Sequence, residues 1–462
     1  MSNRNKKEHS MTRKTAATYC GITLLFFGFG EAALAAESPW RVSDALGLEN
    51  GFSLNGSHRT RFENLTENLR VGKSENDQVL VMRTILNGQF QSDGFNAQLE
   101  LMDSRQELAD RDSIIGTGTV NSLDILQANI GYSFGEDRHT SLKVGRFTVD
   151  GGSRRLLARN RYRNTINSFE GVELRHGLEN GNSLRVLATQ VVKRLPSDIS
   201  SLLDNERESD ESSGAEKFYA LETSFPNLFE GISSEFYFYS IREKDTSKIA
   251  TANREIDSLG MRFRKAPSPG QRDFEIESVY QFGERRSSKA TTNVTNLDHQ
   301  AFFQFFAVGY SFDVPSRLRV LFEFEYAGGD SDPLDQDSGR FDSVHGVTTF
   351  AFGPVGLYGV FSRSNIITPG LRATFNPRPN LNLMASYRHF WLAEEKDSLG
   401  RTGLRDATGN TDSYLGQHLE LRARWDVIPG DLRIETGVVF LQNENLSDNN
   451  TNYLYGGINL TF

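Results

Sequence analysis

In HLELRARWDV, residues 418–427, Leu419, Leu421, Ala423, Trp425 and Val427 alternate with His418, Glu420, Arg422, Arg424 and Asp426. Successive side chains of an extended chain point to opposite faces, so one face of this segment is apolar and the other wholly ionisable. A packed core cannot take such a face, because burying unpaired charge is too costly. The segment therefore needs two solvents. LRVLFEFEY repeats the pattern: Leu318, Val320, Phe322, Phe324 and Tyr326 share one face, while Arg319, Glu323 and Glu325 lie on the other.

Alternation of this kind predicts eighteen strands, near 52-63, 78-91, 94-105, 121-134, 139-149, 168-177, 182-194, 214-225, 232-243, 255-266, 273-285, 298-313, 316-328, 369-376, 381-393, 415-427, 431-443 and 452-462. Their connections alternate between short turns rich in Gly, Pro, Asn or Asp, such as SDG, LENG and IPGD, and long ones. The long ones include 64-77, 106-120, 150-167, 195-213, 329-368 and 394-414. Outer-membrane barrels combine even strand counts, short periplasmic turns and long outer loops. The expected fold class is all-β, a transmembrane antiparallel up-and-down barrel of about eighteen strands, with long outer loops folding into the mouth. A barrel of that size encloses an aqueous channel.

The ends agree with export. A basic start (Arg4, Lys6, Lys7, Arg13, Lys14), the apolar run TAATYCGITLLFFGFG and the small residues Ala33-Leu34-Ala35 predict a signal peptide over 1-35, leaving a barrel over 36-462. Cys20, the only cysteine, falls in the leader, so the mature chain has no thiol chemistry. Residues 36–462 carry 46 basic against 58 acidic residues, a net of −12, which argues against nucleic acid as a partner. The terminal NYLYGGINLTF alternates and ends on Phe462, as the closing strand of an outer-membrane barrel does.

Against that acidic background, SRRLLARNRYRNTINSFEG (153–171) places five arginines between Arg154 and Arg163, mixed with Leu156, Leu157, Tyr162 and Ile166. A loop meant only for water has little use for those apolar residues. One that folds into the barrel mouth does. The surrounding VGRFTVDGGSRRLLARNRYRNTINSFEGVEL (144–174) resembles the signature of the alginate export family of outer-membrane porins, and residues 327–400 are similar to its long outer loop and following strands. The signature elements are Gly145-Arg146, Gly151-Gly152, Arg155-Leu156, Arg159-Asn160, Tyr162 and Phe169-Glu170-Gly171-Val172. The resemblance implies an eighteen-stranded porin with an arginine-lined pore for acidic polysaccharide, and it adds Arg146, Arg155, Arg159 and Arg163 to the pore lining.

Alternation alone nominates Arg59, Arg61, Arg262, Arg264, Arg319, Arg388, Arg422, Arg424 and Arg433 for the wet face, with Glu100, Glu323, Glu325, Glu420 and Glu435 interleaved. Arginine offers planar, bidentate, permanently charged recognition of carboxylates. The expected partner is thus an anionic polysaccharide or oligosaccharide, with most of the chain's acid placed in outer loops. Strict parity sets Arg146 on the face of Leu142 and Val144, so a strand end or bulge is expected there. Asp330, Asp332, Asp335 and Asp337 in GGDSDPLDQDSG are weak calcium candidates, since they lack the EF-hand glycine and glutamate spacing. No other cofactor is expected. LDNERESDES (203–212) reads as a solvated loop or a cation site bridging to lipopolysaccharide. Outer-membrane lipid, the barrel-assembly machinery and periplasmic transport partners complete the expected partners. Residues 338–368 are expected to plug or line the mouth. A porin for other solutes is the alternative. An outer-membrane hydrolase would need a nucleophile beside a positioned base, and none of the seven histidines after the leader sits in such a motif.

Overall fold

The computed structural model describes residues 39–462 except 350 and 446–448. The expected leader lies outside the described residues. In chain order the strands are β1 (Phe52–Thr66), β2 (Asp77–Ser92), β3 (Phe95–Glu107), β4 (Asn121–Phe134), β5 (Thr140–Phe147), β6 (Phe169–Gly177), β7 (Ser183–Lys193), β8 (Glu211–Phe229), β9 (Ile232–Glu243) and β10 (Glu255–Lys265). They continue as β11 (Gln271–Arg285), β12 (Leu297–Ser311), β13 (Arg319–Ala327), β14 (Asp337–Ser338), β15 (Ile366–Arg378), β16 (Leu381–Trp391), β17 (Tyr414–Ile428), β18 (Leu432–Asn443) and β19 (Thr451–Thr461). All but β14 are barrel strands, and each overlaps one of the eighteen segments expected from alternation. β14 is a two-residue strand within a loop, parallel to β12.

Each barrel strand pairs antiparallel with its neighbour, and β1 closes on β19 through ten paired positions from Ser57↔Thr461 to Thr66↔Asn452. Closure satisfies the backbone of every strand and leaves no edge, which is the condition for crossing hydrocarbon. No helix among the described residues is long and apolar enough to span a membrane. Strands do the crossing. The outer face carries Leu99, Ile130, Val144, Leu221, Leu259, Phe302, Leu371 and Ile458, all exposed and apolar, as a lipid-facing wall requires. The chain is an outer-membrane β-barrel.

The interior departs from a simple aqueous tube. Residues 148–168, between β5 and β6, and 339–365, between β14 and β15, fold inward. Their apolar side chains build a core with the inner wall: Leu156, Leu157, Phe341, Leu357, Tyr358, Val360 and Phe361 are all under 5 % exposed. The wall answers in kind, with Val79, Val81, Phe303, Phe305 and Ala307 pointing inward. Thus β2 and β12 are apolar on both faces, one toward lipid and one toward the inserted loops. The expected aqueous channel is thus filled in part by packed protein, contributed by loops expected to fold into the mouth.

Candidate functional site

Local bonds shape the first inserted loop. The Gly151 amide donates to the Leu157 carbonyl at 3.0 Å, and the Arg159 amide to Asp150 Oδ1 at 2.8 Å. The second loop runs beside it: the Ala158 amide donates to the His345 carbonyl at 3.1 Å, the His345 amide to the Leu156 carbonyl at 2.8 Å, and the Val347 amide to the Arg154 carbonyl at 3.0 Å. The backbones approach so closely that a Cβ on Gly346 would stand 1.7 Å from the Arg155 carbonyl oxygen. Two loops therefore make one partition across the lumen.

The arginines of the wall hold this partition in place. Arg59 donates to the carbonyls of Arg161 at 3.0 Å and Arg163 at 2.9 Å, and Arg83 donates to the same two at 3.3 and 2.9 Å. Arg61 donates to the Tyr162 carbonyl at 2.8 Å, pairs with Glu63, and stacks 4.1 Å above the Tyr162 ring. Glu63 in turn accepts the Leu357 amide at 2.7 Å. The loop's own arginines reach outward to the wall. Arg155 binds Glu275 at 2.5 Å and Glu277 at 2.6 Å over the Phe305 ring, and Arg159 binds Glu100 at 2.7 Å. Burial alone would lower the Arg155 pKa, but its glutamates outweigh that and hold it above the usual value.

Apart from Arg146, every nominated arginine on a barrel strand faces inward. Arg262 pairs with Glu235 and Glu275 at 3.0 Å, Arg319 with Asp273 at 2.5 Å, Arg424 with Glu435 at 2.7 Å and Arg433 with Asp426 at 2.6 Å. Arg388, fully buried, is spent on Glu323. The guanidiniums of Arg264 and Arg422 have no hydrogen-bond or ion-pair partner among the described residues. Arg163 donates to Asn167 at 2.9 Å.

Arg146 corrects its expectation. β5 keeps an unbroken register with both neighbours, so Arg146 stays on the outer face with Leu142 and Val144 and bonds Glu170 of β6 at 2.6 Å. No bulge turns it inward. The distribution of acid is corrected as well. Glu63, Glu275 and Glu277 join the expected Glu100, Glu323, Glu325 and Glu420 as inward wall residues, where several of them offset buried guanidiniums. The candidate calcium aspartates mainly build turns: the Asp335 amide donates to the Asp332 carbonyl at 3.0 Å, and the Asp337 amide to Asp335 Oδ1 at 2.8 Å. Among the described residues no three His, Cys, Asp or Glu side chains are grouped to hold a metal ion.

Below the partition, toward the short turns, lie two arginine-rich cavities. One, of about 550 Å³, is lined by Arg59, Arg61, Arg83, Arg154, Arg161, Arg424 and Arg433 against Asp150, Asp426, Asp431 and Glu435. The second, of about 500 Å³, has Arg154, Arg155, Arg262, Arg264, Lys265, Arg319, Arg363 and Arg372 against Glu235, Asp273, Glu275 and Glu323. Cations outnumber carboxylates in both, seven to four and eight to four. Arg154 borders both cavities, and Arg161, with its side chain 57 % exposed, is paired with Asp150 at 2.8 Å. The signature arginines Arg155 and Arg159 are thus anchors, whereas Arg154 and Arg161 face the open space. Sequence reasoning missed Arg83, Arg154, Arg161 and Arg372. Arg83 shares its face with Val79, Val81 and Ile85, so alternation gave no wet side on which to place it.

The profile of the family described as alginate export matches residues 51–444. This chain belongs to the alginate export family. No curated protein matches it. Among solved structures, Acinetobacter baumannii OccAB2 is similar at 11 % identity and TM-score 0.59, covering 90 % of this chain and 99 % of that one. Pseudomonas aeruginosa OccK2 (OpdF) gives 10 % identity and 0.57, covering 89 % and 97 %. The outer membrane protein opdK from the same organism gives 12 % and 0.55, covering 89 % and 99 %. These likenesses are of fold. In this alginate export family member, the matched span takes in both inserted loops and all but the last barrel strand.

Proposed function

We propose that this protein is a passive outer-membrane porin, selective for anions, that admits acidic polysaccharide or oligosaccharide of the alginate-like polyuronate kind. The observation that carries the reading is the excess of cations over carboxylates in both cavities. It is strengthened by Arg59 and Arg83, whose guanidiniums converge on neutral carbonyls with no carboxylate within ion-pair distance among the described residues. A polyuronate bears one carboxylate per sugar, so several spaced guanidiniums can hand it along. Conduction needs binding that is favourable yet weak and multi-site, and the interleaved acids keep it weak. No catalytic step enters.

The test is current block in planar bilayers. Uronate oligomers are expected to interrupt the current at concentrations where neutral oligosaccharides of the same length do not. Equal block by both would overturn the substrate class.

A further inference from the structure

Above the partition, on the long-loop side, two further guanidiniums have no acid within ion-pair distance among the described residues. Arg163 Nη2 donates to Asn167 Oδ1 at 2.9 Å, and Arg194 Nη1 donates to the same oxygen. Arg194 Nε donates to the Thr117 carbonyl at 2.8 Å. Two guanidiniums that share one neutral acceptor lie no more than two hydrogen bonds apart, and their repulsion goes uncompensated by any acid within ion-pair distance among the described residues. Arg163 Nε is buried and has no acceptor. Burial, together with the neighbouring Arg194 and Arg401, pushes the Arg163 pKa down to about 9. Arg401, exposed, has no ion-pair partner among the described residues either. Asp210 lies beyond ion-pair distance, where its charge only partly offsets what burial does to Arg194, and it already accepts from the Leu195 amide at 3.0 Å and from Asn121 Nδ2 at 2.9 Å.

Arg163 and Arg194 come from two different connections, β5 to β6 and β7 to β8, both on the long-loop side, and meet at Asn167. Like charges brought together from separate loops, with no ion-pair partner among the described residues, fit an anion that arrives from outside. We propose that Arg163 and Arg194 form a separate station at the outer mouth that holds a carboxylate of an acidic sugar chain. The substrate class rests on the porin reading above; the site rests on the shared neutral acceptor and the missing ion pair. A polymer would then be gripped on both sides of the partition, by this station outside and by the two cavities within.

The experiment is fluorescence anisotropy of a labelled uronate tetramer with the full barrel in detergent at low salt. R163Q/R194Q is expected to weaken binding about tenfold, the loss of two charge-assisted hydrogen bonds being partly offset by water. R163K/R194K, which keeps the charge, should lose much less, and R138Q on a short turn should lose nothing. A thermal melt of each variant establishes that the barrel has formed. Unchanged affinity in R163Q/R194Q, with a loss in R59Q/R83Q, would overturn the outer station and leave the porin reading standing. Absence of tetramer binding to the native barrel would overturn the porin reading itself. Displacement of the tetramer by equimolar inorganic phosphate would overturn the assignment to a sugar carboxylate.

Discussion

Arg363 and Glu325 form an ion pair at 2.6 Å with side chains 1 % and 0 % exposed. Arg363 belongs to the second inserted loop and Glu325 to β13, and the same guanidinium donates to the carbonyls of Arg155 at 2.8 Å and Val347 at 3.0 Å. One side chain thus ties both loops to the wall. Removing one partner of a buried pair leaves the other charge uncompensated, at about 3–5 kcal/mol. Arg363→Met is therefore expected to lower the unfolding temperature in detergent and to raise single-channel conductance, as the partition loosens. The double variant R363M/E325L should recover much of the stability, since the orphaned charge is gone.

The contact between the loops depends on a missing side chain. With the Arg155 carbonyl 1.7 Å from where a Cβ would sit, Gly346→Ala forces the two backbones apart. The expected result is a larger and noisier conductance with the wall pairs intact. Bilayer recordings check it directly.

Arg59 and Arg83 can be neutralised together, as R59Q/R83Q. Glutamine can still donate to the Arg161 and Arg163 carbonyls, so the loop should stay seated while the first cavity loses two of its seven arginines. Block by uronate oligomers is expected to weaken severalfold, and more at low than at high salt, because salt screens the attraction between the cavity and an oligomer approaching through water. An effect of equal size at 1 M salt would point to a structural rather than an electrostatic cause.

Asp210, just before β8, supplies a pH signature. Burial and then Asp124 push its pKa up to about 6, overcoming the hydrogen bond from the Leu195 amide. A carboxyl raised in the folded state favours the fold when protonated, so its contribution is full below the unfolded value near 4 and is lost as pH rises through 6. Hydrogen exchange over residues 195–209, corrected for intrinsic rates, should slow as pH falls from 7 to 5. Asp210→Asn should remove that dependence.

The sequence made the wall legible residue by residue, because two-solvent strands repeat a simple rule. Leu419 to Val427 point outward and Glu420 to Asp426 inward, and even the awkward parity of Arg146 held against the bulge invoked to escape it. What the rule could not reveal was the packed part of the lumen. Val79 and Phe303 point inward because inserted loops cover them, and no local period signals a contact with a distant loop, such as that of Phe303 with Phe341. The same limit hid Arg83 among apolar neighbours. It also left Arg155 and Arg159, prominent in the family signature, indistinguishable from Arg154 and Arg161, which face the water: only the pairing with Glu275, Glu277 and Glu100 separates anchor from lining.

The sign of the lumen's charge is open to a single electrical measurement. Across a tenfold potassium chloride gradient, the native barrel in a planar bilayer is expected to show a reversal potential set by chloride. A reversal potential set by potassium would contradict the account.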